Sequence, residues 1–69
     1  TALRRIAERL RQGPCGVLEL FPVLFPRPVT GDQLGFATGE SLAHLNCLIG
    51  RGLARRHTDA NAIWVYEAA

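Results

Sequence analysis

Cys15, His44, Cys47 and His57 are the side chains of this sequence best suited to hold a metal, since thiolate sulfur and imidazole nitrogen are the usual ligands of zinc. His44 and Cys47 stand three apart, so they share a face if their segment is helical. The paired Cys-x-x-Cys and His-x-x-x-His spacings that define a strong zinc site are absent, and His44 reads better as a polar residue hydrogen-bonded at the edge of a core. Ser41 and His44 have the same spacing, with a hydroxyl and an imidazole in reach of each other. No elbow motif presents the serine and no third group orients the imidazole, so a nucleophile–base pair is not assigned. On these grounds no catalytic and no metal-binding residue is expected in this chain.

The elements that position these residues follow from local chemistry. Thr1 is placed to cap a first helix in which Ala2, Leu3, Ile6, Ala7 and Leu10 form one apolar stripe, with Arg4, Arg5, Glu8 and Arg11 outward. Gly13-Pro14 ends it, because glycine accepts the left-handed conformation after a helix and proline cannot continue one. Residues 17–25 are apolar nearly throughout and carry Pro22, which predicts a short helix bent or broken near the proline; a strand there would lose a ladder donor. Phe25-Pro26-Arg27-Pro28 is a turn.

Thr30-Gly31-Asp32-Gln33 fits a capping box and predicts the start of a long helix. Leu34, Thr38, Leu42, Leu45, Leu48 and Ile49 recur at three- to four-residue steps as its expected buried stripe, running to Gly50-Arg51-Gly52. Gly35 and Gly39 each disfavour a helix by about 1 kcal/mol relative to alanine, and close approach of another backbone is the expected reason. After Gly52 the period changes. Residues 53–57, the turn-rich Thr58-Asp59-Ala60-Asn61 and the segment Ala62-Ile63-Trp64-Val65-Tyr66 have the pattern of a β-hairpin. The expected fold is mainly α (α+β) and winged-helix-like, with three helices followed by a C-terminal β-hairpin wing, in one domain spanning 1–69.

Composition agrees with a folded module. The chain has 69 residues, 48% of them hydrophobic and 20% charged, where disordered segments are poorer in apolar residues. No apolar run approaches the length needed to span a bilayer. All eight basic residues are arginine, in a sequence rich in Ala, Gly and Leu, which points to a GC-rich bacterial genome. The two cysteines sit among apolar neighbours and read as buried thiols of a cytoplasmic protein. Thr1 stands where an initiator Met would, directly before a helix, as expected of a fragment from the C-terminal end of a longer chain.

A winged-helix plan raises DNA binding as the rival function. A recognition helix needs Arg, Lys, Asn or Gln reaching base edges, with basic neighbours on phosphates. Between Asp32 and Gly50 there is no Arg or Lys, and the net charge is only +2, so nucleic acid is not the expected partner. Under that alternative, a DNA-binding domain of a transcriptional regulator, Arg51, Arg55 and Arg56 would touch phosphates. Trp64 and Tyr66 alternate with Ile63 and Val65, so both faces of the last strand are apolar. One face would pack on the helices and the other would meet something outside the chain.

The run GESLAHLNCLIGRGLARR at residues 39–56, preceded by Leu20-Phe21-Pro22-Val23-Leu24-Phe25 and Asp32-Gln33-Leu34-Gly35-Phe36-Ala37, resembles the C-terminal winged-helix extension of bacterial metallo-β-lactamase-superfamily hydrolases. The similarity runs from about Arg9 to Tyr66. The resemblance implies an αββα catalytic domain, preceding this module in the same chain, whose His/Asp cluster holds zinc or another divalent metal and activates water. The His-x-His-x-Asp-His ligand motif has no counterpart here, so no catalytic or metal role passes to any residue. What it implies is an accessory module that packs on the catalytic domain and shapes substrate access. Trp64, Tyr66 and His44 are then the expected interdomain or partner contacts. The resemblance also accounts for a proline inside the second helix.

Overall fold

In the computed structural model, which describes residues 1–69, the Thr1 hydroxyl oxygen accepts the Arg4 N–H at 3.2 Å and opens helix α1 (Ala2–Arg11). The apolar stripe faces inward as its spacing predicts: Ile6 and Leu10 are buried, with Leu3 and Ala7 packed beside them. Full burial of such an aliphatic side chain stabilises by roughly 1.5–3 kcal/mol, so this one face anchors the helix. The helix stops at Gln12, and Gly13 turns the chain at φ +141°, a conformation that favours glycine.

A 3-10 turn (Val17–Leu20) runs directly into helix α2 (Phe21–Leu24). Pro22 sits in the first turn of α2, where a backbone N–H would have no intrahelical partner. The expected break near Pro22 is thus a change of helix type at Leu20–Phe21. Phe21 and Phe25 meet edge to face with centroids 5.9 Å apart. Phe25 is extended (φ −119°, ψ 126°), as the following Pro26 requires.

Thr30 and Gln33 form the predicted capping box, with Thr30 N–H donating to Gln33 Oε1 at 3.5 Å and the Thr30 hydroxyl donating to Asp32. One 3-10 turn (Gly31–Gln33) intervenes before helix α3 (Leu34–Gly50). The buried face of α3 differs from the expected stripe. Ala37, Ser41, Leu45 and Leu48 are buried, Thr38, Leu42 and Ile49 flank them half-buried, and Leu34 lies 46% exposed. Spacing of bulky residues misplaces the face because two of its members are small. Ser41 tolerates full burial because its hydroxyl donates to Ala37 O at 2.7 Å. No part of this chain supplies the close approach expected at Gly35 and Gly39: a Cβ at either would meet nothing within 4 Å.

Strands β1 (Ala54–Thr58) and β2 (Trp64–Ala68) form the antiparallel hairpin, with Arg56 opposite Tyr66 and Arg55 opposite Glu67. Side chains alternate across it. Ala54, Arg56, Tyr66, Trp64 and Ala68 share the inner face. Arg55, His57, Val65 and Glu67 share the outer face, which is mostly charged. The expectation of two apolar faces is corrected accordingly, since Ile63 falls outside the strand. Cys15 adds a third strand position, exchanging backbone hydrogen bonds with Tyr66. Ile6, Leu10, Cys15, Leu20, Leu45, Leu48, Ala54 and Tyr66 form one core, and no buried side-chain polar atom lacks a partner. The result is three helices followed by a two-stranded antiparallel hairpin, mainly helical in an α+β frame. No helix is long and apolar enough to cross a membrane.

Candidate interdomain contact surface

The hairpin tip is built by Asp59. Its carboxylate accepts the Asn61 N–H at 2.8 Å and the Ile63 N–H at 3.1 Å, while Ala62 takes φ 60°. This turn holds Ile63 in solvent just before β2. Trp64 and Tyr66 lie on the same face of β2 but have opposite surroundings. Tyr66 sits at 0% exposure over the helical core, whereas Trp64 projects past it and stays 48% exposed. Tyr66 therefore offers no surface to a partner, which corrects its place among the expected contacts. The Arg56 guanidinium stacks 4.5 Å from the Trp64 ring centroid. Exposed Leu18, Ile63 and Trp64 rim a depression of about 410 Å³ floored by Leu42.

His44 lies half-buried on α3, with Nδ1 2.7 Å from Glu40 O. A carbonyl oxygen only accepts, so Nδ1 carries the proton and, in the neutral ring, Nε2 remains an acceptor. The outer side of α3 is more unusual. From Leu34 to Gly50 its exposed positions are Leu34, Gly35, Phe36, Gly39, Glu40, Ala43, Asn46 and Gly50, with Glu40 the sole charge. Phe36 is 69% exposed. A surface helix ordinarily turns charged residues to water; one apolar on all sides is normally covered. Periodicity of large side chains does not reveal this surface, although the presence of Glu40 as the one charge along residues 34–50 signals it.

The four metal-capable side chains do not converge. Cys15 is in the core, His44 and Cys47 are on α3, and His57 is on the outer hairpin face 3.9 Å from Glu67. No group of three His, Cys, Asp or Glu side chains is arranged to hold a metal ion. Ser41 donates into its own helix, so it is no nucleophile for His44. Burial pushes the Cys15 thiol up from its usual pKa; the Arg9 charge opposes this and Glu19 reinforces it. A raised thiol is unreactive.

The arginines of the DNA alternative also disperse. Arg55 is on the outer hairpin face, bonded through Nε to Glu67 Oε1 at 2.8 Å, and Arg56 is on the inner face over Trp64. Arg51 belongs to neither, sitting past α3 beside α1. The three arginines do not share one face, and α3 itself carries no Arg or Lys.

The family model described as "Metallo-beta-lactamase-like, C-terminal domain" matches residues 3–69. A solved structure of a beta-lactamase domain protein from Burkholderia ambifaria has the same fold, with a TM-score of 0.90 at 29% sequence identity. The match covers 99% of this chain and 20% of that one, so the chain spans about a fifth of that relative's length. No curated protein matches the chain. With nearly every residue matched, from the first turn of α1 to the end of β2, the chain belongs to the metallo-beta-lactamase-like C-terminal domain family.

Proposed function

We propose that this chain is a non-catalytic accessory domain of a metal-dependent, metallo-β-lactamase-like hydrolase, packed on the catalytic domain and shaping the entrance to its active site. The observation that carries the reading is the outer side of α3, where exposed Phe36 and Leu34 and the unfilled positions at Gly35 and Gly39 leave a surface fit for a close-packed neighbour. The domain is read as a winged helix, a reading supported by the order of its elements and by the third strand position at Cys15. Water activation, with zinc or a similar divalent ion, belongs on this reading to a preceding αββα domain, in a bacterial cytoplasmic enzyme.

The coding sequence upstream of Thr1 tests the proposal. It is expected to encode a His-x-His-x-Asp-His motif, and an open reading frame without one overturns the reading. In the full-length enzyme, Phe36→Asp is expected to loosen the domain, seen as faster proteolytic release and a raised KM. Unchanged release and an unchanged KM would remove α3 from the interface.

A further inference from the structure

The eight arginines divide by what they touch. Arg9 donates to Gly13 O at 3.1 Å and pairs with Glu19 at 3.2 Å, Arg55 pairs with Glu67, and Arg56 lies on Trp64. Arg4, Arg11 and Arg51 have no carboxylate within 4.0 Å. These three line one concavity of about 440 Å³ between α1 and the end of α3, together with Leu3, Leu48 and exposed Leu53. No acidic residue lines it; Glu8, on the same helix, stays outside the lining and forms no ion pair.

Three unpaired guanidinium groups around one hollow repel one another, so the arrangement is relieved by an anion that accepts from their N–H forks. The number of donors narrows the class. Arg4 and Arg11 stand about two turns apart on α1, roughly 10 Å along its axis, so their flexible side chains reach the hollow from two ends, as suits an anion with more than one phosphoryl group. Arg51 approaches from the other side. The apolar wall of Leu3, Leu48 and Leu53 suits a carbon body attached to the anion.

We propose that this concavity binds an organic diphosphate ester, with Arg4, Arg11 and Arg51 as its ligands. The inference stands apart from the interdomain role assigned to α3, because its residues lie off that helix's outer face. A second domain could cover one surface and leave the other open.

The chain has its own core and no unsatisfied buried polar atom, so binding is measurable on these 69 residues. Calorimetry at constant ionic strength with inorganic pyrophosphate is expected to give saturable binding, weaker with inorganic phosphate and weaker still with succinate. Arg4→Gln and Arg51→Gln are each expected to lower affinity about tenfold, the size of one lost charge-assisted contact. Arg27→Gln, in the distant Pro26–Pro28 segment, leaves it unchanged. Absence of saturable binding overturns the site, as does an equal loss with Arg27→Gln. Phosphate or succinate binding as tightly as pyrophosphate overturns the ligand class. In the unsubstituted chain, NMR shifts on adding pyrophosphate should concentrate at residues 3–11 and 48–53; shifts centred elsewhere refute the placement.

Discussion

Cys15 and Tyr66 exchange both of their backbone hydrogen bonds, Cys15 N–H to Tyr66 O at 2.9 Å and Tyr66 N–H to Cys15 O at 2.8 Å. The pairing ties the loop after α1 to the second strand of the hairpin and buries the Cys15 side chain in the core. The thiol is therefore part of the packing, shielded from reagent and solvent.

This burial gives stability a sign at high pH. The Cys15 pKa is raised in the folded state, chiefly by desolvation, so the folded chain keeps its proton where the unfolded chain has lost it. The stabilisation is complete below the unfolded thiol value of about 8.5 and declines as pH rises through it, by at most about 1.4 kcal/mol per unit. Urea midpoints measured from pH 7 to 10 are expected to fall more steeply for the native sequence than for Cys15→Ala. Parallel curves would refute the assignment. With a thiol reagent at neutral pH, half-buried Cys47 should react well before Cys15.

Tyr66 closes the core from the sheet side. Tyr66→Ala removes a ring at 0% exposure and is expected to destabilise by about 3–5 kcal/mol, enough to leave a domain of this size largely unfolded. Tyr66→Phe keeps the ring and its volume, and a loss under about 1.5 kcal/mol is expected. Denaturant unfolding of the two variants distinguishes packing by the ring from any role of the hydroxyl.

The features legible in the sequence are those settled by neighbours along the chain. Thr1, Gly13-Pro14 and the Thr30–Gln33 box announce helix ends because capping is completed within four residues. The Cys15–Tyr66 bridge is invisible at that range, since α2, α3 and β1 all lie between its partners in the chain. The inner face of α3 was misplaced for another reason: apolar periodicity is scored on bulk, and Ala37 and Ser41 are core residues without it. Alternation rightly put Trp64 and Tyr66 on one face. It could not show that the hairpin extends past the core, leaving Trp64 outside and Tyr66 within.

Asp59 acts as the clasp of the hairpin tip. Its carboxylate accepts two backbone N–H groups that the turn would otherwise leave to water. Asp59→Ala is expected to lower stability by about 1–2 kcal/mol, as for loss of a charged acceptor from a cap. Amide exchange should quicken first at Ile63 and Trp64, next to the turn. Unchanged exchange there would show that the β1–β2 ladder alone fixes the tip.

Gly35 and Gly39 separate what the isolated chain prefers from what a neighbouring domain would require. Each lies within a 17-residue helix, and a Cβ added at either meets nothing within 4 Å. Alanine there recovers helix propensity of about 1 kcal/mol per site without a clash. In this chain alone, Gly35→Ala and Gly39→Ala are each expected to raise Tm by about 4–8 °C, the shift such a gain produces in a domain of 60–100 residues. In a longer protein where α3 is covered, the same methyl groups enter a packed interface, and the gain should shrink or reverse. Calorimetric scans of both forms measure the difference. Equal gains in the two would mean that the glycine face stays open in the longer protein, and the partner surface would then have to be sought around Leu18, Ile63 and Trp64.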